Sequence, residues 1–153
     1  MKSAPALVAW LALTFCAALT GIFIQPAGYY DELVKPAWSP PAWVFGPVWT
    51  VLYIMMAVAA WLVWQCGGWR KQSRPLGIYL VQLALNALWT PLFFGLRSPG
   101  LAFAEILVLC IFVILTLRAF FRVRPVAGWL LAPYGLWTGF AAALNFAIWR
   151  LQA

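Results

Sequence analysis

Residues Tyr29–Pro41 read Tyr-Tyr-Asp-Glu-Leu-Val-Lys-Pro-Ala-Trp-Ser-Pro-Pro, and this is the one stretch of the chain that a bilayer cannot hold. It carries Asp31 and Glu32, two of the chain's three acidic residues, with Lys35 one helical turn beyond Asp31. Apolar runs long enough to cross a membrane lie on both sides of it. Fully extended, the connector 25–39 reaches roughly 50 Å, whereas packed helices stand only ~8–10 Å apart. Connectors that long are lids, binding loops or disordered segments. Three aromatics and a Leu-Val pair are groups a chain buries, which argues against disorder. Two readings stay open: a Pro-stiffened link in a helical hairpin, or a folded cap over one end of a helical bundle. The cap is the preferred one.

Composition points the same way. Hydrophobic residues make up 66% of the 153-residue chain and charged residues 8%. A soluble domain of this size must face water and has no use for so much apolar surface; lipid supplies the alternative outside. The net charge of +7 is no nucleic-acid signature, because the basic residues sit in the gaps between apolar runs, where they set topology. The chain has no histidine, which excludes imidazole metal ligands, a His-based triad and a His-ligated haem. Cys16, Cys66 and Cys110 are far apart with no CxxC, so neither a zinc site nor a disulfide framework follows.

The pattern predicts an all-α integral membrane protein: one domain over 1–153, a bundle of five transmembrane helices at 4–24, 40–64, 75–95, 101–120 and 126–149, with a lid-like loop at 25–39. The first run is too long for a signal-peptide core, and Ala17 and Gly21, one turn apart, predict a close-packing face. Ser39 is expected to cap the second helix, with prolines in its first turn. Gly46-Pro47 is expected to kink that helix. The segment 66–74 reads as a short basic turn. Glu105 lies one turn into the fourth helix, where it either snorkels to the interface or serves as a functional carboxylate; snorkelling is preferred. Lys2, Arg70, Lys71, Arg74, Arg118, Arg122 and Arg124 fall at one side, and Lys35, Arg97 and Arg150 at the other. The amino terminus is therefore expected in the cytoplasm, with the loop and carboxyl terminus outside. Helical spans favour a bacterial inner membrane over a barrel-type outer one. An odd number of spans with no internal repeat argues against a repeat-built transporter.

Depth separates the tryptophans. At ~1.5 Å per residue, Trp49 lies about 12 Å below the outer start of its helix, Asn86 about 13 Å, Trp89 about 9 Å, Trp137 about 18 Å and Ala141 about 12 Å. The interfacial aromatic belt accounts for Trp10, Trp64, Trp69, Trp129 and Trp149. It does not account for Trp49, Trp89 and Trp137. Gln82, Asn86, Trp89, Thr90 and Phe93 form one stripe of the third helix, and Tyr134, Trp137, Ala141 and Asn145 one stripe of the fifth. Trp49 and Tyr53 are one turn apart on the second. Amides facing lipid are costly, so Asn86 and Asn145 face protein or a cavity. Either they only bond helices together, or they belong to an aromatic pocket beneath the loop, suited to a flat, apolar ligand.

Four ordered motifs carry a resemblance over essentially the whole chain: the loop Tyr-Tyr-x-x-Leu-x-Lys-Pro-x-Trp-x-Pro-Pro, Val-Trp-Thr-x-Leu-Tyr (Val48–Tyr53), Gln-Leu-Ala-Leu-Asn-x-x-Trp-Thr-Pro-Leu-Phe-Phe (Gln82–Phe94), and Pro-Tyr-x-x-Trp-x-x-Phe-Ala-x-x-Leu-Asn (Pro133–Asn145). They resemble the tryptophan-rich sensory protein/translocator protein family (TspO/MBR, the peripheral benzodiazepine receptor). The resemblance implies a five-helix homodimer that binds tetrapyrroles such as protoporphyrin IX or haem as ligands, with no obligatory cofactor and no metal site. In animal relatives it implies cholesterol and benzodiazepine-type or isoquinoline drugs. By motif position the pocket residues are Tyr30, Trp38, Pro41, Trp49, Tyr53, Asn86, Trp89, Thr90, Phe93, Trp137, Ala141 and Leu144. Trp49 and Trp137 correspond to the pair implicated in light-dependent porphyrin breakdown. Phe146 stands where the sterol motif has tyrosine, which counts against a sterol ligand here. Gly77 is followed one turn later by Val81, so a Gly-xxx-Gly dimer contact is absent there, while Gly135, Gly139 and Ala143 form a small-residue stripe on the fifth helix.

Three functions are therefore expected in order: a tetrapyrrole-binding sensor or carrier, a porphyrin photo-oxidising activity, or a regulatory membrane partner without turnover. Nothing at pocket depth supplies a general acid–base pair.

Overall fold

The computed structural model describes residues 4–24 and 28–153. Lys2 and the start of the connector, 25–27, on which parts of the sequence reading fall, lie outside the described residues. The elements are α1 (Ala4–Cys16), α2 (Leu19–Ile24), α3 (Tyr29–Glu32), α4 (Ala42–Trp64), α5 (Gly68–Thr90), a π-helical turn (Pro91–Gly95), α6 (Pro99–Val123) and α7 (Pro125–Gln152). Together they make five segments long and apolar enough to cross a membrane, Ala4–Ile24, Ala42–Trp64, Gly68–Gly95, Pro99–Val123 and Pro125–Gln152. The chain is an all-α, multi-pass integral membrane protein.

The spans close into a ring. α1 packs on α4, α4 on α7, α7 on α6 and α6 on α5, and α2 completes the circuit against α5 and the π-helical turn. Lipid tails offer no hydrophobic drive for this association, so close packing has to supply it. The half of the bundle remote from the loop is accordingly dense. Ala57, Ala59, Ala60, Met56 and Val63 of α4 are fully buried, the alanines letting neighbouring backbones approach. Tyr79 stacks on Phe120 with ring centroids 5.7 Å apart and receives the edge of Trp10 at 5.8 Å. Its hydroxyl shares a 2.7 Å hydrogen bond with Thr14, tying α1 to α5. Trp10 therefore belongs to the packed interior and not to the interfacial belt.

Several local expectations are corrected. The first span is not one helix: Ala17–Ala18 interrupt it, held by three-residue hydrogen bonds from Ala17 N to Thr14 O and Ala18 N to Phe15 O. Ala17 is buried, but a Cβ on Gly21 would meet no described atom within 4 Å, so the two do not share a packing face. The stretch 68–74 is helical, the start of α5, with a kink where Gln72 leaves helical geometry (φ −117°, ψ 24°). Pro41, not Ser39, occupies the N-cap of α4, with no side-chain cap. On α7 the small-residue stripe divides. A Cβ on Gly135 would lie 2.9 Å from Leu117 of α6, whereas Gly139 faces no described atom within 4 Å.

The π-helical turn has a simple origin. Pro91 has no N–H to give the carbonyl one turn before it, and the chain widens, with Leu96 N donating to Pro91 O at 2.8 Å across five residues. Such widenings occur often at functional sites. Here the turn brings both Phe93 and Phe94 to the interior.

Candidate functional site

Above the dense half, the ring encloses a cavity of about 420 Å³, within the range of sites for small organic ligands. Ten of the twelve residues singled out by motif position line it: Tyr30, Trp49, Tyr53, Asn86, Trp89, Thr90, Phe93, Trp137, Ala141 and Leu144. Trp38 and Pro41 do not. Trp38 is 52% exposed and rests edge-on against Phe140 at 5.8 Å, one ring away from the cavity-lining Trp137.

The floor is a polar chain linking three helices. Tyr53 donates its hydroxyl to Asn86 Oδ1 at 2.7 Å. Asn86 Nδ2 donates to the Tyr134 oxygen at 3.1 Å. Tyr134 in turn donates to Gln82 Oε1 at 2.8 Å. A second amide, Asn145, accepts from Trp89 Nε1 at 2.9 Å and donates from Nδ2 to the Pro99 carbonyl at 2.8 Å. Both asparagines thus bond helices together and also line the cavity. Because these amides are engaged, the walls present mainly aromatic faces. Trp49 stacks on Tyr53 at 5.4 Å, Trp89 on Phe93 at 4.8 Å, and Trp137 lies against Phe45 and Phe140 at 6.0 and 5.3 Å. The Trp137 Nε1 donor has no hydrogen-bond partner among the described residues.

The segment from Gly28 folds over this end of the bundle. Gly28 adopts the left-handed conformation (φ 87°) that starts the single turn α3, which suits a residue with no Cβ. Tyr29 packs edge-on to Phe93 and Phe94 at 6.3 and 6.1 Å, and Tyr30 to Phe45 at 5.5 Å. Lys35 Nζ donates to the Tyr30 carbonyl and lies 4.6 Å above its ring. The Arg97 guanidinium sits 4.9 Å over the Tyr29 ring. From the far end of the chain, Gln152 Nε2 donates to the Val34 carbonyl at 2.9 Å. Burial raises the Tyr30 phenol above its usual pKa, and does the same to Tyr29 against the opposing pull of Arg97. Both hydroxyls are therefore neutral at physiological pH.

Glu105 does not snorkel. It is 8% exposed, and neither carboxylate oxygen has a hydrogen-bond partner among the described residues. It does not line the cavity, although Ile106 and Leu109 on the same helix do. No group of three or more His, Cys, Asp or Glu side chains able to hold a metal occurs among the described residues.

Sequence reasoning missed a wall contributed by the first span, Ala17, Ala18, Gly21 and Ile22, together with Ala42, Phe45, Gly46, Phe94 and Thr138. Phe45, Gly46 and Ala42 precede Trp49 by four, three and seven residues, a helical spacing that would have found them. Phe94, within the π-helical turn, follows Thr90 by four residues, so the same spacing would have found it.

Comparison with known proteins agrees with this architecture. The TspO/MBR family model matches residues 6–150. The chain is 44% identical over 147 residues to the tryptophan-rich sensory protein of Cereibacter sphaeroides, covering 93% of this chain and 91% of that one. It is 47% identical over 131 residues to the tryptophan-rich protein TspO of Chlorobaculum tepidum, covering 84% and 82%. It is 44% identical over 124 residues to the human translocator protein, covering 80% and 73%. With its five spans, its capped aromatic cavity and a match over nearly its full length, the chain belongs to the TspO/MBR family.

Proposed function

We propose that the protein is a tetrapyrrole-binding membrane sensor or carrier, with protoporphyrin IX or a haem-like ring held in the aromatic cavity. The observation that carries this reading is the wall composition: Trp49, Trp89 and Trp137 offer broad faces around about 420 Å³, and the neighbouring amides are already hydrogen-bonded to protein. Such a site favours a flat, conjugated ring over a polar metabolite. No imidazole exists to ligate an iron, so the metal-free ring is the better-matched partner. Benzodiazepine-type or isoquinoline compounds share the flat aromatic character and fit the same walls. The sterol reading stays disfavoured by Phe146, which is exposed on the outside of α7 and packs on Phe103 and Trp149.

The stacking of Trp49 on Tyr53 and its edge contact to Tyr134 at 6.2 Å favour one second reading, light-driven oxidation of the bound ring. Electron-rich side chains in van der Waals reach of an excited porphyrin can exchange electrons with it, and oxygen would be the oxidant. Two copies would pair across the α7 face where Gly139 is uncovered. The bundle would sit in the inner membrane with the cap outside.

A spectral titration with protoporphyrin IX in detergent, in the dark and under illumination, tests both readings. Saturable red-shifted binding in the dark supports the carrier. Loss of porphyrin absorbance that needs light, oxygen and protein supports the oxidation. Absence of saturable binding removes both.

A further inference from the structure

Among the residues that line the cavity, the exposed ones are Ile22, Ala42 and Gly46. All three lie on α2 or the first turns of α4, so the cavity opens between these two helices. Apart from Ile22 the rim is made of small residues, and a Cβ added at Gly21 or Gly46 would meet no described atom within 4 Å. The break at Ala17–Ala18 explains the gap. α1 packs along α4, but beyond the break α2 leans on α5 and the π-helical turn. The first turns of α4 lose their neighbour.

Depth and polarity then say what can use the opening. Ala42 begins α4, and Gly46 lies about 6 Å further along it, so the gap runs sideways from the interface into the acyl layer. Its outer surroundings are apolar, with Ile22, Phe23 and Trp43 exposed by 70%, 80% and 74%. In the direction of the water, Tyr29 and Leu33 are buried under the cap and Tyr30 is packed on Phe45. We infer that the gap between α2 and α4 is a lateral portal, through which a flat amphiphile passes between the cavity and the cap-side leaflet. Such a ligand keeps a charged tail at headgroup depth while its ring slides past Gly21 and Gly46. A tetrapyrrole with carboxylate tails belongs to that class, so the inference extends the proposed function; the route itself is testable without any tetrapyrrole.

The test places a reporter thiol in the cavity, Ala141→Cys, in protein reconstituted into liposomes. Its reaction is timed with pyrene maleimide, which dissolves in the bilayer, and with a charged methanethiosulfonate that cannot enter lipid. Mass spectrometry of the peptide carrying position 141 reads the adduct, so the native cysteines do not interfere. The lipid-borne reagent is expected to react about tenfold faster than the charged one, and Gly21→Phe, which fills the rim, to slow it by a similar factor while leaving the charged reagent unchanged. Ala42→Phe fills the opposite rim and serves if Gly21→Phe fails to elute as a folded protein. Equal rates for the two reagents, or a lipid-borne rate indifferent to both rim variants, would overturn the portal. A protein that fails the porphyrin titration yet passes this test keeps the portal and loses the tetrapyrrole.

Discussion

The Trp89 indole N–H donates to Asn145 Oδ1 at 2.9 Å, so a wall of the cavity on α5 is held in place by an amide on α7. The same amide reaches the Pro99 carbonyl at the start of α6 at 2.8 Å, and one side chain thereby joins three spans. Asn145→Ala leaves the buried Trp89 N–H unpaired, at a cost of ~1–3 kcal/mol, and removes the second bond to the Pro99 carbonyl. A clear fall in thermal unfolding temperature in detergent is expected, with weaker porphyrin binding as Trp89 loosens. An unchanged melting profile would show that the clamp contributes nothing.

Binding and photochemistry separate at two tryptophans. Trp49→Phe and Trp137→Phe keep an aromatic face but remove the indole N–H and its easily oxidised ring. For a carrier, each lowers dark affinity modestly, by ~0.5–1.5 kcal/mol. For a reacting protein, light-dependent bleaching collapses in both variants while dark binding largely survives. Ala141→Phe is the control that fills the cavity from α7; normal porphyrin binding by that variant would sink the site described here.

Glu105 carries a buried carboxylate with no partner among the described residues, a costly arrangement for a charge. Glu105→Gln keeps the shape and removes the charge. Thermal stability is expected to hold or rise. A marked drop would show that the carboxylate has an essential partner in the membrane.

Replacing Ala37–Pro40 with a Gly/Ser run removes the Trp38 contact to Phe140 and Pro40, one of the prolines that stiffen the cap. Ligand dissociation is expected to accelerate, while the helical circular dichroism signal persists because every span is intact. Equal dissociation rates in the two proteins would reduce the segment to a connector.

Orientation follows from the basic residues. Arg70, Lys71, Arg74, Arg118, Arg122 and Arg124 cluster at the end of the bundle remote from the cap, and Lys35, Arg97 and Arg150 near it. A reporter fused at Ala153 is expected outside, and one inserted between Gln65 and Gly67 in the cytoplasm. The reverse pattern would put the cap on the cytoplasmic side.

The spans were legible in the sequence because length and hydropathy are local properties that the bilayer reads directly. Asn86, Trp49 and Trp137 were legible as interior residues for a similar reason, being too polar or too deep for a lipid-facing role. The break at Ala17–Ala18 was not, since it falls among apolar residues with no proline or glycine at the break itself. Pro91 was visible, but a proline in a helix leaves open whether the chain kinks or widens. Trp38 shows the limit of motif position: a loop aromatic next to a pocket can seat its ring on a neighbour instead of in the wall, and this one rests on Phe140. Glu105 was read from its depth alone, which said nothing of the interhelical packing that encloses it.

The dense half of the bundle has a consequence for traffic. Beneath the Tyr53–Asn86–Tyr134 floor lie Met56, Val63, Tyr79 and Phe120, all wholly inaccessible. Among the described residues, then, the vessel opens at its side beneath the cap and has a stopper at the far end. A molecule admitted to it must leave by the way it came, unless several of those side chains move aside together. A ligand held in this shape would be taken up and handed back on one face of the membrane, as from a reservoir whose level tracks supply. Net passage to the opposite face would need a partner or an energy source able to draw the stopper.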